Sequence, residues 1–204
     1  MRYDSRVPRK IKAVPRVIVF AGPNGAGKST HADAILETLG IDIYVNADYI
    51  ARGLSGRSTD TVAFEAGRIM LKRLRELGEA GADFAFESTL SSRSFAPFLR
   101  RLKAGGYQVA IYYFSLSSAQ LALRRVRLRV AMGGHDVPPE VVRRRFGRSL
   151  SNFFVLYAPL ASRWVLLDNS QSTYARLVAA GDSDKLSITE TSAWHKLQEL
   201  ATTP

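Results

Sequence analysis

The stretch Gly22-Pro23-Asn24-Gly25-Ala26-Gly27-Lys28-Ser29 constrains this chain more than any other, because a glycine, four residues and then Gly-Lys-Ser is the spacing of a loop that wraps phosphate. Just before it, Arg16-Val17-Ile18-Val19-Phe20 is short, apolar and β-branched, as a buried strand is; residues 29–36 after it carry a helical pattern. Strand, glycine loop and helix in that order aim backbone N–H groups and the positive end of a helix dipole at one anion. Gly22, Gly25 and Gly27 allow left-handed backbone and close approach to phosphate oxygens. Lys28 brings a compact charge to the β and γ phosphates, and the Ser29 hydroxyl is the expected Mg²⁺ ligand. The predicted nucleotide cradle is therefore Gly22, Pro23, Asn24, Gly25, Ala26, Gly27, Lys28, Ser29 and Thr30. A dinucleotide fingerprint is excluded, since Asn24 stands where its second glycine would be.

The rest of the chain alternates strands and helices. Residues 41–46 alternate like a second strand and deliver Asp48 at or just past its carboxyl end, the edge where ligands bind in open parallel sheets. There a carboxylate can accept the proton of an attacking hydroxyl or hold Mg²⁺ through water; it can equally cap the helix that follows. After a loop over residues 53–60, a helix from Thr59 shows apolar residues at Val62, Ala63, Ala66, Ile69, Met70 and Leu74. Residues 84–89 form a third strand that ends polar, so Glu87, Ser88 and Thr89 arrive at the same edge as Asp48; Glu87 reads as a second working carboxylate or as an exposed strand end. Residues 94–104 read as a helix. Residues 108–114 are the most apolar strand, hence central and buried on both faces. Residues 150–161 present Phe153, Phe154 and Tyr157 as core packing, Trp164-Val165-Leu166-Leu167 is a fifth strand, and Asp168 and Asn169 follow it near the expected nucleotide base. A short strand or hairpin over residues 174–178 and 186–189 and a terminal helix around residues 194–200 complete the pattern.

Two helices joined by Gly133-Gly134-His135-Asp136-Val137-Pro138-Pro139 carry Arg124, Arg125, Arg127, Arg129, Arg143, Arg144, Arg145 and Arg148. They read as a lid over about residues 118–150 whose arginines close on phosphates. A solvated face or a nucleic-acid surface competes with that reading, because the formal net charge of +11 calls for an anionic partner. The absence of cysteine excludes disulfides and thiol chemistry, and the three histidines have no metal-ligand spacing. With no apolar run long enough to span a membrane, the chain reads as soluble and cytoplasmic. Residues 1–15 read as a flexible basic lead-in and 16–204 as a single domain.

The set formed by residues 22–30, Asn46-Ala47-Asp48, Phe86-Glu87-Ser88-Thr89, the run from Arg125 through Gly133-Gly134-His135 to Arg148, and Asp168-Asn169-Ser170 resembles the zeta-toxin family of P-loop kinases over about residues 15–170. The resemblance implies an α/β, three-layer P-loop kinase fold: a mostly parallel sheet of five or six strands, helices on both faces, and an arginine-rich helical lid. It also implies transfer of the γ-phosphate of ATP, with Mg²⁺, to a hydroxyl of a small acceptor. In the toxins that acceptor is UDP-N-acetylglucosamine, and a small antitoxin blocks the ATP site. By matching motif, Lys28 and Ser29 hold phosphate and Mg²⁺ and Asp48 resembles the catalytic base; Ser29 and Asp48 are the expected metal residues. Glu87 would meet the acceptor with Thr89 and Arg93, and Arg125 with Arg144 or Arg148 would stabilise the transferred group. A nucleic-acid-binding NTPase or polynucleotide 5′-kinase is the alternative that the charge supports.

Overall fold

The computed structural model describes residues 14–55, 60–134, 136–171 and 174–202. Most of the expected basic lead-in, the expected helix start at Thr59, half of the expected 53–60 loop and His135 lie outside those residues; the described part of that loop, residues 53–55 and 60, is helical instead. The strands are β1 (Arg16–Ala21), β2 (Tyr44–Val45), β3 (Phe84–Ser88), β4 (Gln108–Ser115), β5 (Arg163–Asp168), β6 (Arg176–Asp182) and β7 (Leu186–Ile188). They form one sheet in the order β2-β3-β1-β4-β5-β6-β7. The first five are parallel, and β6 and β7 add to the β5 edge antiparallel. The sheet thus has seven strands where the sequence suggested five or six. β2 shrinks to two residues, and β7 is a three-residue edge strand exposed along its whole length, too short and too wet to leave a hydrophobic signature.

The central position of β4 follows from its composition. Val109, Ile111 and Tyr113 enter one apolar cluster, while Ala110, Tyr112 and Phe114 pack into the other. β1 divides in the same way, with Val17 and Val19 on one side and Ile18 and Phe20 on the other. One face is covered by α3 (Asp60–Glu79), α4 (Phe95–Ala104), the short helix α7 (Ala158–Leu160) and α8 (Thr191–Thr202). The other is covered by α1 (Lys28–Leu39) and α5 (Ala119–Ala131). α6 (Pro139–Asn152) reaches both clusters: Val142 and Phe146 enter the α1 side, and Leu150 the other, followed by Phe153 on a π-turn (Phe153–Tyr157). Phe153 and Tyr157 are fully buried, as their core reading requires. In α3 the inner stripe is Ala66, Met70, Leu74 and Leu77, whereas Ala63 and Ile69 face solvent. No described helix is long and apolar enough to cross a membrane.

Candidate phosphate-transfer site

The loop between β1 and α1 folds as its glycines dictate. Gly25 and Gly27 sit at φ 76° and 82°, and a Cβ on Gly22, at φ 136°, would stand 2.1 Å from the Phe114 carbonyl oxygen. The loop is thereby pressed against the end of β4. Gly27 opens α1 with no side-chain cap and no acidic residue in the first turn, which leaves the amide groups there for an anion. From the far side, Asn169 donates through Nδ2 to the Ala26 carbonyl at 2.9 Å, so the end of β5 clamps the loop. Lys28 is 5% exposed and donates to the carbonyls of Gly22 and Pro23, each at 3.0 Å.

Glu87, at the end of β3, is the hub of the site. Its Oε2 accepts from Ser29 Oγ at 2.6 Å, Tyr44 OH at 2.8 Å and Asn46 Nδ2 at 3.0 Å, while Oε1 lies 3.5 Å from Lys28 Nζ. An exposed strand-end carboxylate is thereby excluded. Burial, and then the Glu87 charge, push the Tyr44 hydroxyl well above the usual tyrosine range, so it remains a donor at any physiological pH. Asp48 sits in the first turn of α2 (Ala47–Ser55), but the helix is capped by Asn46, whose Oδ1 accepts from the Asp48 N–H at 2.8 Å. The Asp48 carboxylate is therefore not spent on capping.

One cavity of about 570 Å³ collects half of the predicted residues. Gly25, Gly27, Lys28, Ser29, Thr30, Asp48, Glu87, Arg125 and Asn169 all line it. Gly22, Pro23, Asn24 and Ala26 shape the loop beneath. Asp168 turns elsewhere: it accepts from Ser170 N–H and hydroxyl and pairs with Arg176 at 3.0 Å. Thr89 and Arg93 lie outside the cavity wall, Thr89 bonding Ser91 and Arg93 facing solvent.

The arginine cluster divides in two. Arg124, Arg127, Arg143, Arg144 and Arg148 are exposed; Arg125, Arg129 and Arg145 are half-buried. Arg125 and Arg129, one turn apart, line the cavity, and Arg125 Nη2 donates to the carbonyls of Ser170 and Gln171 at 3.3 Å. Burial pulls the Arg145 pKa down, the neighbouring Arg144 adds to that, and the Asp48 carboxylate opposes both. Arg144 and Arg148, the expected phosphate contacts, are exposed, and Arg145 between them is half-buried. Counting arginines could not separate these neighbours, but the helical period could: Arg145 follows the buried Val142 by three residues and precedes the buried Ser149 by four. Tyr49, Arg52, Met132 and Tyr174 also line the cavity, with no motif to announce them.

A family model described as AAA domain (AAA_33) matches residues 17–156. An uncharacterized protein of Haemophilus influenzae is 27% identical over 135 residues, covering 64% of this chain and 92% of the relative. Among solved structures, the AvrRxo1-ORF1:-ORF2 complex with ATP aligns at TM-score 0.74 and 18% identity over 93% of this chain. This chain spans 65% of that neighbour's length. The PezAT chromosomal toxin-antitoxin system of Streptococcus pneumoniae aligns at TM-score 0.61 and 16% identity, covering 96% of this chain and 81% of the other. At these identities the structural likeness is one of fold.

Proposed function

The chain belongs to the AAA_33 family of AAA domains, and we propose that it is an ATP-dependent kinase, acting through residues 16–204, that phosphorylates a hydroxyl of a small acceptor. The observation that carries this reading is the convergence of Lys28, Ser29, Glu87 and Asp48 on one cavity at the mouth of a glycine loop. The fold shared with a complex solved with ATP, and with a toxin-antitoxin system, supports it.

In this reading the α1 amide groups and Lys28 hold the β and γ phosphates. Ser29 and Glu87 present hard oxygen ligands side by side, which suits Mg²⁺, an ion that takes one or two protein oxygens and leaves the rest of its shell to phosphates and water. The metal, when bound, neutralises charge on the triphosphate. Glu87 belongs to this metal pole rather than to the acceptor. Asp48, released from capping, orients the acceptor hydroxyl and takes its proton. Arg125, Arg129 and Arg145 supply the guanidinium groups that offset charge on the transferred phosphoryl. The acceptor implied by the family resemblance is a nucleotide sugar such as UDP-N-acetylglucosamine. A small antitoxin-like protein over the ATP end is the partner that the likeness to PezAT supports.

Mass spectrometry of Mg-ATP reactions against a panel of nucleotide sugars, free sugars and oligonucleotides tests the proposal. A gain of one phosphate on a nucleotide sugar or sugar is the expected result. Phosphate appearing only at oligonucleotide 5′ ends would transfer the site to nucleic acid, a reading the five outward arginines favour.

A further inference from the structure

Asn46 is the one residue between β2 and α2, and it is 4% exposed. Val45 pairs with Phe86 in the last rung between β2 and β3, so the parallel register brings Asn46 beside Glu87. Its side chain is bonded in two directions. Oδ1 accepts from the Asp48 N–H at 2.8 Å, and Nδ2 donates to Glu87 Oε2 at 3.0 Å. Nδ2 also lies 3.4 Å from the Tyr44 hydroxyl, which itself donates to the same Oε2 at 2.8 Å. The orientation of the amide is forced by its partners, since a backbone N–H can only donate and an ionised carboxylate can only accept. With both ends bonded, this planar group is a strut of fixed length between the start of α2 and the end of β3.

The residue type follows from this double attachment. Asp, Ser, Thr and Asn all cap helices well. Asp would cap α2 but set a second negative charge against Glu87, and Ser or Thr would carry donor and acceptor on a single oxygen one bond from Cβ, which cannot stand in both places. Asn separates an acceptor from a donor across one amide. Its two partners reach the cavity from different elements: Glu87 from β3, beside Ser29 and Lys28, and Asp48 from the first turn of α2. Glu87 has Ser29 and Tyr44 as further donors on Oε2, so loss of the amide would release α2 more than β3. Resting on the reading that Asp48 takes the acceptor proton while Glu87 meets the metal, we propose that Asn46 is a positioning residue that sets the spacing of these two carboxylates by tying the α2 N-terminus to Glu87. The base is thereby registered to the metal pole before any ligand enters, the pre-organisation on which phosphoryl transfer depends.

The test separates the cap from the tie. Asn46→Ser and Asn46→Thr keep a capping oxygen for α2 and delete the amide donor. The kcat for phosphate release from Mg-ATP at saturating Mg²⁺ is expected to fall roughly tenfold in each, with the KM for ATP within about twofold. The Asn46→Ser/Asp48→Asn double variant is expected to match Asp48→Asn alone, because a residue that acts through Asp48 has nothing left to place. Independently of turnover, Mn²⁺ binding to the ADP complex, followed by the EPR signal of the free ion, is expected to weaken roughly tenfold in both single variants, since each strips a hydrogen bond from the metal-facing carboxylate. Wild-type kcat in both Asn46 variants beside an impaired Asp48→Asn would overturn the positioning role alone. Losses that multiply in the double variant would overturn it too, since a general weakening of the fold predicts that outcome. Slowed turnover with unchanged Mn²⁺ binding would reduce Asn46 to a helix cap and overturn the tie to Glu87. Full turnover in Asp48→Asn would remove the base itself, and the positioning role with it.

Discussion

Asp48→Asn is expected to lower kcat by roughly 10²- to 10⁴-fold, the usual contribution of a positioned general base, with the KM for ATP nearly unchanged. The substitution keeps the size and planarity of the side chain and removes only its basicity. It is also structurally quiet, because the N-terminus of α2 is capped by Asn46 and not by Asp48. Steady-state rates on the phosphorylated acceptor, together with thermal unfolding, check both halves. An unchanged melting temperature with a collapsed kcat is the predicted pair. Wild-type turnover would take Asp48 out of the chemistry.

Lys28→Met is expected to lower kcat/KM for ATP by roughly 10³-fold, because it deletes a buried cation from the phosphate cradle while filling the space of its stem. Unlike the Asp48 variant, it should also weaken binding of a fluorescent ATP analogue. The local cost is bounded. Glu87 loses the ammonium group 3.5 Å away but retains three hydrogen-bond donors on Oε2, so its charge is not stranded. The Gly22 carbonyl loses its Lys28 donor while that of Pro23 keeps the Ala26 N–H at 3.2 Å, so the free protein is destabilised by about 1–3 kcal/mol. Wild-type affinity for the analogue in this variant would mean that the glycine loop does not hold phosphate.

The fold was readable because its signals are local. The apolar runs of β1, β3, β4 and β5, the glycine loop and the α4 and α5 periods each depend on neighbouring residues. The antiparallel edge shows in the sequence as a short strand or hairpin, but its place beside β5 is set by long-range pairing that no local pattern carries. At the site, spacing points to Lys28, Ser29 and Asp48, which sit on or directly after motif elements and line the cavity. It could not decide Glu87, whose role is set by Tyr44 and Asn46 arriving from a strand more than forty residues upstream. Nor could it rank the arginines. Eight cations within 25 residues look alike in sequence; three are drawn inward by helical phase and five are left in water. Asp168 shows the opposite case: the carboxylate that closes β5, expected near the base, is paired with Arg176 from the antiparallel strand β6.

The central claim is that a triphosphate lies across the start of α1 with Asp48 at its γ end. A crystal structure with Mg²⁺ and a non-hydrolysable ATP analogue tests it most directly. The predicted result has Lys28 Nζ moved from the Gly22 and Pro23 carbonyls onto the β and γ phosphates, Ser29 and Glu87 on the metal, and Asp48 and Arg145 facing the γ-phosphate. Lys28 still bound to those two carbonyls with the analogue lodged elsewhere, or Asp48 turned away from the γ-phosphate, would contradict it.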